Sequence, residues 1–176
     1  MSVNEKVAVP RIGAVRLGSV GLAVVAALSL AGCGGVQVDS PKDASGEKPC
    51  DLVPEQTVHE LGFHLGGKED AGACTWSTPR DSVRLEVGVV ADRSLQDFQD
   101  AAEEYSDFGE LTIGGHPAVR ANSGDPKADG TCELVVAADA DQAVSAKSKI
   151  PSGATADPCE LAERALDAAV PSWPAA

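Results

Sequence analysis

Aromatic residues are scarce in this chain of 176 residues. Only Phe63, Trp76, Phe98, Tyr105, Phe108 and Trp173 are present, 3% of the sequence, with a single Met. A core here must therefore be built mainly from Val, Leu and Ala. Positive charge is also short: 14 Lys and Arg against 27 Asp and Glu give a formal net charge of −13. That balance excludes nucleic acid, whose binding rests on Lys and Arg neutralising phosphates. It also excludes a polybasic membrane contact. The plain meaning of the charge is solubility, because like-charged surfaces keep domains apart.

Catalytic patterns are missing too. No serine sits in a G-x-S-x-G elbow. "HELGFH" (59–64) superficially suggests a zinc protease, but that motif needs histidines at i and i+4 on one helical face. His59 and His64 are five apart, about 140° around a helix, and Gly62 is placed to end the helix between them. The cysteines lack any C-x₂₋₄-C pair, which argues against structural zinc. Gly114-Gly115 lead into His-Pro rather than a helix, so they form no phosphate loop. His116 has no nameable nucleophile beside it. Glu103-Glu104 and Asp139-Asp141 fall on expected solvent faces, whereas a glycosidase needs carboxylates across a cleft. The expectation is a protein that is not an enzyme, with no catalytic residue, metal or cofactor.

What the sequence does have begins at its amino terminus. Lys6, Arg11 and Arg16 precede an uncharged run from Leu17 to Gly32. A basic segment, a short apolar segment and small residues at its end form a secretory signal. The run is Gly-broken and shorter than the roughly 20 apolar residues of a spanning helix. Leu30-Ala31-Gly32-Cys33 resembles the bacterial lipobox. The resemblance implies that the Cys33 thiol is alkylated with diacylglycerol and that cleavage makes Cys33 the mature amino terminus. More than one acyl chain on one residue anchors stably, which places the protein on the outer face of the plasma membrane. Cleavage removes three of the 14 cations and one of the 27 acids, leaving 11 against 26 and a mature charge of −15. Five cysteines are an odd number, and assigning Cys33 to lipid leaves four for bridges in an oxidising compartment. The organisation expected is a signal over 1–32, a lipid-anchored Cys and flexible linker over 33–48, and one domain over 49–176.

Within that domain, "LVPEQTVHELG" (52–62) reads as a short helix with Pro54 at its first position and Gly62 at its stop. "CTWS" (74–77) and "VRLEVGVV" (83–90) read as strands, the second alternating cleanly with one wet face. "SLQDFQDAAEEYSD" (94–107) is an amphipathic helix capped by Ser94 and Asp97. "ELTI" (110–113) and "HPAVRA" (116–121) are strands around Gly114-Gly115. "NSGDPKADG" (122–130) is a loop. "TCELVVAA" (131–138) is a strand, and "QAVSAK" (142–147) a weaker one, expected at an edge. "DPCELAERALDAAV" (157–170) is a helix capped by Asp157, with Pro158 first and Glu160 completing a capping box. Without regular βαβ alternation, the fold class is α+β: a small antiparallel sheet packed by about three helices and stapled by two disulfides. Four cysteines allow three pairings. Cys132 lies on the apolar face of its strand and Cys159 on that of its helix, which favours Cys132–Cys159 and leaves Cys50–Cys74.

Pro49-Cys50-Asp51-Leu52, Cys74-Thr75-Trp76, Gly115-His116-Pro117-Ala118 and Asp157-Pro158-Cys159-Glu160-Leu161-Ala162 together resemble the actinobacterial lipoproteins carrying the domain of unknown function 3558. The family typically has Thr before the first-helix proline, where this chain has Val53. The resemblance implies an exported lipoprotein and supplies no activity. Trp76 reads as a core residue beside a disulfide or as a ligand-stacking platform, and Trp173 as a core or contact residue. The functional expectation is a non-enzymatic binding module at the cell envelope, whose partner is a small apolar ligand, a lipid or an envelope protein. The alternatives are an accessory subunit of an envelope complex and an envelope hydrolase.

Overall fold

A computed structural model describes residues 35–176; the signal segment 1–32 and Cys33 lie outside the described residues. Seven strands form one antiparallel sheet: β1 (Lys68–Asp70), β2 (Ala73–Ser77), β3 (Arg84–Val89), β4 (Asp107–Ile113), β5 (His116–Asn122), β6 (Thr131–Ala137) and β7 (Ala143–Lys149). Their order is β1-β2-β3-β7-β6-β5-β4. Two meanders, β1 to β3 and β4 to β7, are thus joined where β3 pairs with β7. Four helices accompany them: α1 (Glu55–Glu60), α2 (Leu95–Asp100), α3 (Pro126–Asp129) and α4 (Pro158–Ala169). The α+β expectation holds. Among the described residues no helix is long and apolar enough to cross a membrane.

The two sheet faces are covered unequally. On one face, Leu85 and Val87 of β3, Leu134 and Val136 of β6, and Val144 and Ala146 of β7 pack with Ala162, Ala165, Leu166 and Ala169 of α4. Leu52, Val53, Val58 and Phe63, from and around α1, complete that core. On the other face Leu95 and Phe98 of α2 pack on Val119, Ala121, Val135, Ala137 and Ala143, with Val36, Val38, Val90, Tyr105 and Phe108 around them. The alternation of strand side chains accounts for this division, since residues two apart share a face.

Both bridges join the expected partners. Cys50–Cys74 has its Cα atoms 4.8 Å apart and ties a 3-10 turn, Pro49–Asp51, to β2. Cys132–Cys159, at 5.0 Å, ties β6 to the first turn of α4. In a core lean in aromatics, such links stabilise chiefly by restricting the unfolded chain.

Several expectations need correction. The strand read as an edge is β7, the centre of the sheet. Its small residues are a packing requirement rather than a sign of exposure: the alanines of α4 lie over Val144 and Ala146, and buried Ser148 donates to Pro158 O at 2.6 Å. The helix expected over 94–107 ends at Asp100, followed by a 3-10 turn, Ala102–Glu104. Glu103 and Glu104 oppose the negative end of a helix dipole, and Tyr105 leaves to stack between Phe98 and Phe108. The loop 122–130 contains α3, whose Asp125 cap accepts from Lys127 N and Ala128 N. Pro54 caps α1 rather than opening it. Asp157 accepts from Cys159 N at 2.9 Å, without the reciprocal box from Glu160.

The stretch expected as linker is bound along part of its length. Lys42 N donates to Ala138 O at 2.8 Å, Asp43 N to Pro174 O at 2.9 Å, and Ala44 is fully buried. Lys42 also bridges Ala175. The folded unit therefore starts before Pro49. Trp173 explains why: it is 2% exposed and its indole donates to Leu52 O at 2.9 Å. It is a core residue and not a surface contact.

Candidate functional site

Because α2 covers only one end of its sheet face, the strands at the β3–β7 junction remain open there. The register sets three rungs across this floor. Thr131, Lys149 and Arg84 lie side by side on β6, β7 and β3, as do Glu133, Lys147 and Glu86. Val135, Ser145 and Gly88 form the third. Residues directly opposite one another sit about 5 Å apart at their Cα atoms.

Two adjoining grooves run over this floor and share Glu86, Glu133 and Lys147, so they form one trough. Its basic end, about 260 Å³, is lined by Arg84, Lys149, Thr131, Ser123 and Gly124. Its other end, about 380 Å³, is walled by Arg93, Phe98 and Tyr105 on one side and the Ala71-Gly72 turn on the other. Gly88 is required there: a Cβ would lie 2.8 Å from Gly72 O, so only glycine lets that turn close over the strand.

The charges are arranged with a gradient. Lys147 Nζ lies 3.3 Å from Glu133 Oε1, and Glu86 occupies the same rung. Arg84 and Lys149, one rung away, have no carboxylate within 4.0 Å among the described side chains. Like charges directly opposite on neighbouring strands repel. At the aromatic end the Arg93 guanidinium lies 3.8 Å from the Phe98 ring centroid and donates to the Tyr105 hydroxyl at 3.4 Å. That stacking fixes a cation over the buried Phe98 ring and beside the half-buried Tyr105. The Asp97 carboxyl, which caps α2, is held below the usual carboxylate range by the Ser94 backbone N–H first and then the Ser94 hydroxyl, with Arg93 adding to this.

A model of the family described as "Protein of unknown function (DUF3558)" matches residues 28–172. The chain belongs to the DUF3558 family. No curated protein and no solved structure matches it. The matched span of this DUF3558 chain contains both disulfides and the whole trough.

The residues singled out from sequence are dispersed in the DUF3558 fold. Trp76 is 3% exposed and lies with Cys74 in the core, so the reading as a core residue beside the bridge holds. Part of it lines a separate cleft with Cys50, Glu55, His59, His64 and Leu65. His59 and His64 meet there at 5.9 Å between ring centroids, because Gly62 turns the chain back with φ +93°. On one continuous helix they would stand about 140° apart. Among the described residues no group of three or more His, Cys, Asp or Glu is arranged to hold a metal. His116 is buried, with Nδ1 2.8 Å from Ala137 O. A carbonyl only accepts, so Nδ1 carries the proton and the ring serves the sheet.

Sequence reasoning missed Arg84, Lys149, Arg93 and Tyr105 as a set. Alternation predicted that Arg84 faces away from the core. Nothing local to either residue brings β7 beside β3.

Proposed function

We propose that this DUF3558 protein is a lipoprotein held by lipid on Cys33 at the outer face of the plasma membrane, and that its domain is a binding module without catalysis. The trough receives the ligand or partner. The observation that carries this reading is the half-covered sheet: a floor of charged and hydroxyl side chains, walled by an Arg-aromatic cluster, lies open at the centre of an otherwise packed fold. Such concave sites with a few convergent polar groups are the usual places for ligands. The charged floor favours a ligand with a polar part over a wholly apolar one. The two bridges consume four of the five cysteines, which is consistent with Cys33 as the anchor.

An accessory subunit docking through an apolar patch receives less support. Leu65, 60% exposed, is the one large hydrophobic residue strongly exposed among the described residues, and single residues of that kind are ordinary.

The test compares wild type with Glu86→Trp, both full-length and purified from the membrane fraction of an exporting host. Released molecules and chemically crosslinked proteins are identified by mass spectrometry. A species held by wild type and lost from the filled trough supports the reading. Identical sets from both proteins overturn it. Intact mass of the wild type shows a diacylglycerol adduct at Cys33 if the anchor is as proposed, and its absence removes that part.

A further inference from the structure

We propose that the basic end of the trough is a phosphate site, built by Arg84 and Lys149 with the hydroxyls of Thr131 and Ser123. The site rests on the trough being the binding surface and gives its ligand a chemistry. Three observations converge on it. First, Arg84 and Lys149 are direct cross-strand neighbours, with Thr131 next in the same rung. Second, no carboxylate among the described side chains lies within 4.0 Å of either cation, although the whole chain holds 27 acids to 14 Lys and Arg. What sets these two apart is their placement: among the described strands, Arg84 and Lys149 are the only two cations that face each other directly across a ladder. Third, they line a groove rather than a convex surface, with Ser123 and Gly124 at its rim.

The neighbouring rung sharpens the assignment. Lys147 is paired with Glu133 and flanked by Glu86, so that part of the floor is acidic on balance and repels anions. An anion is thereby confined to the Arg84–Lys149 end. A planar carboxylate is satisfied by one guanidinium fork. A tetrahedral phosphate offers more acceptor oxygens, enough for the guanidinium, the ammonium and two hydroxyls together. The repulsion between Arg84 and Lys149 is relieved when that charge arrives. A site of this kind lowers the stability of the empty protein in exchange for binding.

The experiment uses the full-length protein in detergent micelles and two probes: glycerol 3-phosphate, a soluble monoester, and dihexanoylphosphatidylglycerol, a lipid headgroup. Binding is read by calorimetry, and the melting temperature is read without ligand. The variants are Arg84→Gln and Lys149→Gln, with Arg164→Gln, exposed on α4, as the control. Wild type should bind at least one probe, each trough variant should lose about tenfold or more in affinity, and the control should bind as wild type. Both trough variants should also melt higher than wild type when empty. Binding of the monoester alone assigns a soluble phosphate ester, binding of the lipid alone a headgroup, and binding of both the phosphate group itself. The inference is overturned if wild type binds neither probe, if the trough variants bind undiminished, or if they melt lower. Loss of the co-purifying species in Glu86→Trp would then still uphold the trough, so the two claims fail separately.

Discussion

Replacing Trp173 with Ala should unfasten both ends of the domain at once. The indole is buried beside Leu52 and Val170, and its N–H satisfies the Leu52 carbonyl at 2.9 Å. Its own carbonyl accepts from Lys42 Nζ at 3.1 Å. Truncating a buried Trp costs about 3–5 kcal/mol through lost transfer energy and the cavity left behind. In a domain of this size each kcal/mol moves the melting temperature by about 3–4 °C, so a drop of about 9–20 °C is expected. Trp173→Phe keeps most of the volume but orphans the Leu52 carbonyl, for about 1–3 kcal/mol. Hydrogen exchange adds a positional readout. The Lys42 and Asp43 amides, which donate to Ala138 and Pro174, should lose protection in the Ala variant. Amides of β6 should then exchange only through the global opening. A drop below about 3 °C, or unchanged exchange at Asp43, would refute the view that Trp173 clasps the termini.

Two further outcomes are expected. Removing the Cys132–Cys159 bridge by paired Ser substitutions should lower the urea-measured stability by about 3.5 kcal/mol, the chain-entropy value for a closed loop of this length; an unchanged midpoint would contradict that account. Acidification should loosen the cap of α2 and the turn at Asp43. The Asp97 carboxyl is lowered by the Ser94 N–H and hydroxyl, and that of Asp43 by the Ser45 hydroxyl and N–H. A lowered folded value means that these contacts add stability above the unfolded Asp value of about 3.9, which is lost as pH falls through the folded value. Carboxyl shifts followed by NMR should show both groups titrating below free Asp, and Ser94→Ala should restore Asp97 toward it.

Much of the fold was readable because local rules and the tertiary structure agree. The alternation of β3 and β6, the Ser94–Asp97 box and the apolar stripe of α4 each mark an element where it occurs. Cys132 and Cys159 pair as their apolar faces predict for the same reason. β7 was misplaced because Ala, Ser and Lys signal an edge, while here they meet the alanines of α4 on one side and open solvent on the other. α3 is a single turn, too short for periodicity to register. Trp173 follows the last helix with no neighbour in sequence to say that Leu52 awaits it. The trough was invisible for a different reason: it exists because α2 is too short to cover the whole sheet, and coverage is a property of the assembled molecule.

The junction of β3 with β7 is also a seam. Cys50–Cys74 lies wholly within the first meander and its flank, and Cys132–Cys159 wholly within the second and α4. Among the described residues no disulfide crosses between them, and the chain passes from one to the other only through α2. The seam is closed by ladder hydrogen bonds, by the main core on one face and, on the other, only at its Val90–Ala143 end under α2, and its strands are distant in sequence, which makes it a slow pairing to form. An occupant touching Arg84 and Lys149 together would bolt the two halves from the bare side. Occupancy would then be registered as mechanical strength along one line of the sheet, and an empty domain would part along that line first.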